Sequence, residues 1–317
     1  MEKRKIGNSG IEVNPLGLGC MRISAPCTWL DGKVQDFNAP DQNTAVKLLH
    51  KAVDMGIDLF DTANAYGAGQ NEETLGKAFS GLRDKVKIVS KFGHIIDETT
   101  RTLCLTGYTP TPKSFVKSKM FPAMIKWQCE QSLRRLKTDY LDVFLCHIQV
   151  AENGEEMMGA LEELVAEGKI RSYGWSTDLA DRAEIFAKGE NCAAIELKIN
   201  VVENKNDTLA VCDNNNLAAF IRGPLGGGVL GKSSQNAVLN EAQSQKIKKL
   251  DDVREILTSE GRSVVQGALC WLWARSNNAI PIPGFRTMEQ LEGLCGTLKY
   301  GPLTQSQMSE IEVIMNK

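Results

Sequence analysis

The chain has 317 residues, with 37 Lys and Arg against 39 Asp and Glu and a formal charge of −2. That balance excludes an electrostatic nucleic-acid binder as the default reading, because tracking phosphates takes a basic excess. Hydrophobic residues at 42% with 24% charged describe a globular chain, and no apolar run approaches the roughly 18 residues that a membrane helix takes.

In chain order, a strand at 14–18 comes first, then a helix over 43–55 in which Val46, Leu49 and Val53 form one stripe. Gly56 follows immediately, where a left-handed cap is wanted. Strands are predicted at 57–60 and 86–90. A stretch of Thr, Pro and Lys without clear periodicity, 93–119, separates the second from a helix over 123–136. A strand at 141–146 and a helix over 155–167, capped by Gly168, come next, followed by a strand at 170–174 and a helix over 181–188. Strands at 193–199 and 218–221 precede a polar, mostly helical stretch over 236–261. A helix over 263–276, a strand at 279–282 and a helix over 288–294 complete the series.

Eight short strands alternating with helices, with no low-complexity linker, predict one domain over 1–317, a (β/α)8 TIM barrel with long strand-to-helix loops. Such barrels average about 250 residues, which leaves room for insertions. A doubly wound sheet is the alternative, but it wants a G-x-G-x-x-G turn after the first strand. Gly17-Leu18-Gly19-Cys20-Met21-Arg22 does not supply one. In a barrel the loops after strands build the active-site face, so 93–119 is a candidate substrate lid.

The start, MEKRKIGNSGIEV, lacks the apolar core of a signal peptide. Nine cysteines (20, 27, 104, 129, 146, 192, 212, 270 and 295) are scattered singly. An odd count without a C-x-x-C pair argues against a disulfide framework and for a reducing cytoplasm. No metal site is read from the pattern.

Three predicted strands end on polar residues: Asp61 in DTANAYG, Lys91 in SKFG, and His147 after Cys146. At the mouth of a barrel these three converge, with Tyr66 reaching in from its loop. Taken singly, Asp61 reads as a helix cap, Lys91 as a surface lysine and His147 as a core histidine. His50 lies within a helix. Together the four make a proton-transfer site. A phenol with a pKa near ~10 is a poor acid at neutral pH. An ammonium beside it favours the phenolate, a carboxylate holds the ammonium, and a histidine can hydrogen-bond a carbonyl oxygen.

D-x-x-x-x-Y-G after one strand, S-K after the next and L-x-H after the third resemble the aldo-keto reductase superfamily. The resemblance runs from Leu16-Gly17-Leu18-Gly19 to Pro283-Gly284-Phe285-Arg286. It implies a β/α barrel, carbonyl reduction with Tyr66 as general acid, Lys91 and Asp61 as its tuning pair, and His147 orienting the carbonyl. It also implies NADP(H), with NAD(H) the lesser choice, and a small-molecule carbonyl substrate rather than nucleic acid or a membrane. On the cofactor side it implies Gly19, Cys20, Met21, Ser176, Thr177, Glu196, Arg222, Pro224, Leu225, Gly226, Gly228, Lys232, Gly284, Arg286 and Gln290. Arg286 falls on the turn that grips the adenosine 2′-phosphate, which suits a planar guanidinium fork. Departures stand at Thr177 (Asn in the family), Glu196 (Gln), Arg222 (often an aromatic) and Gly293-Leu294 (Glu-Asn). Glu196 and Arg222 end consecutive strands with opposite charges, and are expected to pair.

Gly226 to Ser233 also satisfies the phosphate-loop pattern G-x-x-x-x-G-K-S, the signature of a nucleotide hydrolase. The same residues resemble the reductase loop P-L-G-x-G-x-L-x-G-K, here Pro224 to Lys232, across the dinucleotide pyrophosphate. A cofactor-binding protein with little turnover is the other alternative. Trp29, His94, Tyr108 and Trp127 are candidates for the substrate pocket.

Overall fold

The computed structural model describes residues 2–105, 120–148, 154–204, 207–226 and 241–316. Tyr108, Gly228 and Lys232, and most of the phosphate-loop pattern, lie outside these. Eight parallel strands form one sheet: β1 (Leu18–Gly19), β2 (Leu59–Asp61), β3 (Lys87–Phe92), β4 (Leu141–Cys146), β5 (Ile170–Ser176), β6 (Cys192–Lys198), β7 (Ala218–Arg222) and β8 (Ala279–Pro281). They pair in chain order from β1 to β8. Closure comes from Gly17 N and Gly19 N, which donate to Pro281 O and Pro283 O at 3.0 Å each. The prolines have no N–H to donate back, so this seam is a thin ladder. The result is the (β/α)8 barrel expected.

The helices are α1 (Gln42–Asp54), α2 (Gln70–Ala78), α3 (Met120–Leu136), α4 (Gly154–Ala166), α5 (Ala180–Phe186), α6 (Asp207–Asn214), α7 (Glu241–Thr258), α8 (Val264–Arg275), α9 (Met288–Cys295) and α10 (Gln305–Asn316). Helix α1 starts on Asp41, whose carboxylate accepts from Asn43 N and Thr44 N, and ends before Gly56 at φ 90°. Its buried stripe is Ala45, Leu48, Leu49 and Ala52. Val46 and Val53, expected in the stripe, flank it half-buried. His50 stays on this helix, its Nε2 2.7 Å from Ala78 O.

Three helices, α2, α6 and α10, were not anticipated. Helix α2 hides because part of its buried face is polar. Glu72 is fully buried and joins the Arg135 guanidinium of α3 to the Ser90 hydroxyl of β3 at 2.6 Å each. No apolar period can show such a face.

Inside the barrel, Leu59, Val89, Val143, Leu145, Ala194, Phe220 and Ile280 form one apolar cluster with Ile6, Ile11 and Val13. The last three belong to a hairpin, Arg4–Lys5 against Glu12–Val13. Because side chains alternate across a strand, the position two residues beyond each interior residue faces inward again, one layer higher. Asp61 thus stands above Leu59, Lys91 above Val89, His147 above Leu145 and Glu196 above Ala194.

The loops after β1 and β3 pair with each other. Cys27–Trp29 is flanked by Val34–Gln35 on one side and Thr102–Leu105 on the other, with Ile95–Asp97 outermost. The first part of the 93–119 stretch is therefore sheet; 106–119 lies outside the described residues.

Candidate active site

Lys91 is the centre of the site and is fully buried. Its Nζ donates to Asp61 Oδ1, to Thr62 O at 3.0 Å and to Tyr66 Oη at 3.3 Å. Tyr66 is delivered by a tight turn in which Tyr66 N donates to Ala63 O at 3.1 Å and Gly67 takes φ 59°. A Cβ on Gly67 would sit 3.0 Å from Ala25 O, so left-handed backbone and close approach both favour glycine there. Thr62 fastens the turn to the barrel: its hydroxyl donates to Asn71 Oδ1, and Asn71 Nδ2 donates to Cys20 O at 3.0 Å. Trp29, half-buried, packs with Tyr66 and Ile96 against one small apolar cluster. His147 is buried, and its ring lies 4.8 Å from that of His94.

The expected Glu196–Arg222 pair does not form. Glu196 Oε2 lies 3.1 Å from Lys91 Nζ, and its Oε1 accepts from Ser176 Oγ at 2.9 Å. Arg222 instead binds Asp178, on the loop after β5. Adjacent strands do place the two residues side by side, with Glu196 opposite Phe220 and Lys198 opposite Arg222. Height then separates the charges. Glu196 reaches across the barrel interior level with Phe220, whereas Arg222, two residues beyond Phe220 and one layer higher, is at the rim and finds a half-exposed carboxylate there.

Lys91 therefore serves two buried carboxylates. Burial pushes the Asp61 carboxyl up to about 8, with Lys91 opposing and the Glu196 charge adding to the rise. The Tyr66 phenol is also raised: burial leads, Lys91 lowers it, and Asp61 and Glu196 raise it again. This reverses the expectation that the ammonium alone would bring the phenol down. Lys91 is held charged by Asp61 and Glu196 against the burial that would neutralise it. Burial lowers His94 to about 4, and lowers His147 well below the ordinary imidazole value, so both are neutral at pH 7.

These shifts carry a signed pH dependence. Asp61, raised from 3.8, stabilises the fold below its ordinary value, and that stability is lost as pH rises through about 8. His94 and His147, lowered from 6.5, stabilise above that value and lose it as pH falls, for His94 toward about 4. Thermal unfolding against pH is expected to peak between these limbs. In Glu196→Gln the alkaline limb should flatten, since the charge that helps raise Asp61 is gone; an unchanged limb would detach Glu196 from Asp61.

On the cofactor side, Ser176, Thr177 and Glu196 lie together at the ends of β5 and β6, all buried, with Thr177 N donating to Glu196 O at 2.8 Å. Gly19 and Gly284 bridge across the barrel seam, next to Cys20, buried, and Met21, half-buried. Arg286 Nη1 donates to Phe37 O at 2.6 Å, and Arg286 N donates to the Gln290 side chain at 2.9 Å. Only one of the five guanidinium donors is used in that bond. Arg22, which the sequence reading passed over, joins this corner. Its stem would lie 3.2 Å from a Cβ on Gly284, and its guanidinium stands 5.8 Å from the centre of the Phe37 ring. The Gly-Leu-Gly-Cys-Met-Arg run was the available signal. Two guanidinium groups beside the N-terminus of α9 form a donor set suited to a phosphate. Pro224, Leu225 and Gly226 follow β7, with Gly226 N donating to Gly223 O at 3.1 Å.

A model of the aldo/keto reductase family matches residues 15–316. An uncharacterised oxidoreductase of Bacillus subtilis (strain 168), YqkF, is 26% identical over 321 residues, 98% of this chain and 96% of that protein. A probable aldo-keto reductase of Glycine max is 26% identical over 325 residues, covering 97% of this chain and 87% of its own. Among solved structures, an aldo-keto reductase from Klebsiella pneumoniae in complex with NADPH superposes with a TM-score of 0.73 at 25% identity, covering 99% of this chain and 96% of that one. An aldo-keto reductase from Bacillus halodurans shares the fold with a TM-score of 0.79 at 24% identity, over 99% and 96% of the two chains. The chain belongs to the aldo/keto reductase family, and is an oxidoreductase by that membership.

Proposed function

We propose that the chain reduces an aldehyde or ketone to an alcohol with NADP(H), Tyr66 supplying the proton. One observation carries the reading: a buried ammonium, clamped by carboxylates, is aimed at a phenol hydroxyl 3.3 Å away. When bound, the nicotinamide supplies hydride to the carbonyl carbon. Tyr66 Oη gives its proton to the carbonyl oxygen as negative charge develops there. Lys91 stabilises the phenolate that remains, and Asp61 keeps Lys91 in place. His147, neutral, donates one hydrogen bond to the same oxygen and orients it. Ser176, Thr177 and Glu196 would face the nicotinamide amide, and Arg286 with Arg22 the 2′-phosphate. The relative from Klebsiella pneumoniae seen with NADPH supports the cofactor choice. Loss of NADPH absorbance across a panel of aldehydes and ketones tests the whole reading.

A preference for NADPH over NADH follows from Arg286. Arg286→Met should weaken NADPH binding by roughly 1.5–3 kcal/mol, the scale of a hydrogen bond to a charged group, and spare NADH. Equal losses for both cofactors, in titrations of the purified chain, would take Arg286 off the 2′-phosphate. The family match runs through 226–233, so the phosphate-loop pattern is read as the pyrophosphate loop and not as a nucleotide hydrolase. The low-turnover reading rests on Glu196, whose carboxylate is already engaged by Ser176 and Lys91. Single-turnover oxidation of bound NADPH by a reactive aldehyde separates it from catalysis. Nine free cysteines, eight of them buried, fit a reducing cytoplasm.

A further inference from the structure

Three left-handed residues follow Tyr66 in succession: Gly67 at φ 59°, Ala68 at φ 45° and Gly69 at φ 91°. Glycine adopts such backbone freely, whereas the Cβ of Ala68 opposes it. The turn that presents the phenol is therefore held by its surroundings and not by local preference. Backbone bonds do part of this. Tyr66 O accepts from Asn71 N, Gly67 O from Gln70 N and Gly69 O from Glu73 N, each at 3.2 Å. Ala68 O, the carbonyl of the strained residue, accepts from a side chain: Arg101 Nη1 donates to it at 3.0 Å.

Arg101 comes from outside the Tyr66 loop. It lies between Ile95–Asp97 and Thr102–Leu105, in the segment after β3. Its own carbonyl accepts at 3.0 Å from Thr28 N, in the loop after β1. The other arm of the guanidinium, Nη2, donates at 2.8 Å to Glu73 Oε2, in the first turn of α2. One planar fork thus bridges the turn that carries Tyr66 and the start of the helix that follows it. The ion pair is about one-third exposed at both ends, where water weakens charge attraction. A charge-assisted bond to a carbonyl is directional, which suits it to fixing backbone. Fixing matters because Tyr66 Oη meets Lys91 Nζ at 3.3 Å, a long contact with little margin for drift.

We propose that Arg101 is a positioning residue for Tyr66, its guanidinium holding the left-handed turn so that the phenol stays on Lys91. Its effect on rate rests on the reductase reading; the anchoring itself stands on the geometry.

Arg101→Met removes both bonds and keeps an unbranched side chain, whereas Arg101→Lys restores one donor. In the Met variant, amide hydrogen exchange over 66–71 should quicken by roughly tenfold, the equivalent of one hydrogen bond, with exchange in α8 unchanged. The kcat for a good aldehyde should fall by roughly tenfold to a hundredfold, the scale of a displaced reacting group. The KM for that aldehyde and the affinity for NADPH should hold. The solvent deuterium isotope effect on kcat should rise, because a poorly aligned phenol slows proton transfer relative to the other steps. Loss of folded protein would lower kcat without moving that ratio. Arg101→Lys should fall between wild type and the Met variant in exchange and in rate. Unchanged exchange over 66–71 overturns the anchoring, and faster exchange with wild-type kcat and isotope effect overturns the positioning role. Should the wild type turn over no aldehyde, the reductase reading fails, and exchange alone decides whether Arg101 holds the turn.

Discussion

Tyr66→Phe is expected to cut carbonyl reduction by roughly 10²–10⁴, the usual worth of a positioned proton donor, while NADPH affinity stays near that of the wild type. The two effects separate because the hydroxyl and the ring have different partners. The ring packs with Trp29 and Ile96 against the Cys27, Ala63 and Leu103 cluster, and phenylalanine preserves that contact. The hydroxyl meets Lys91 Nζ, which keeps Asp61 and Glu196 as counter-ions after the change. The fold should therefore survive, and thermal unfolding checks that it does. The raised phenol suits this task. It stays protonated through neutral pH and gives its proton only to a strongly basic oxygen, such as a carbonyl that has just accepted hydride. Wild-type kcat in the Phe variant, with binding intact, would remove Tyr66 from the proton-donor role.

The strand pattern was legible because a barrel strand buried on both faces is a short apolar run, and five of the eight runs here end at a Gly, Asp, Asn or Pro. The second to eighth strands fall within two residues of their predicted ends. The first does not: 14–18 was expected, whereas only Leu18–Gly19 pairs with β2, and Gly17 instead bonds across the seam to Pro281. The convergence of Asp61, Lys91 and His147 was equally readable, since strand ends share one face of a barrel. What periodicity does not give is which inward position meets which across the interior. Glu196 was expected to bind its neighbour on the next strand, yet β3 and β6 face each other closely enough for it to reach Lys91. Arg22 was missed because its signal lies in a glycine run judged only as a dinucleotide turn.

Lys91→Met is the substitution with the largest expected cost to stability. It would leave Asp61 and Glu196, 3% and 2% exposed, facing the same vacated position without an ammonium between them. Breaking a buried ion pair by removing one partner costs about 3–5 kcal/mol, because the survivor's charge stays desolvated. Two survivors of like sign make the loss steepest at alkaline pH, where neither can take up a proton. Toward acid pH one or both carboxyls protonate and the cost shrinks. Glu196→Gln in the wild-type background should behave differently. Above about pH 8, where Asp61 is ionised, the three groups together carry one net negative charge, so removing the Glu196 carboxylate neutralises the cluster, and the change should be near neutral or stabilising there. Adding Glu196→Gln to Lys91→Met removes one of the two stranded charges and should recover part of the lost stability. The cost of Lys91→Met is then smaller in the Gln background than in the wild type, a non-additivity read from thermal or denaturant unfolding at two pH values. An equal cost in both backgrounds, within about 0.5 kcal/mol, would mean that the 3.1 Å contact between Lys91 and Glu196 carries no energy. In that case Asp61 alone holds the lysine, and Glu196 acts only through Ser176, toward the nicotinamide.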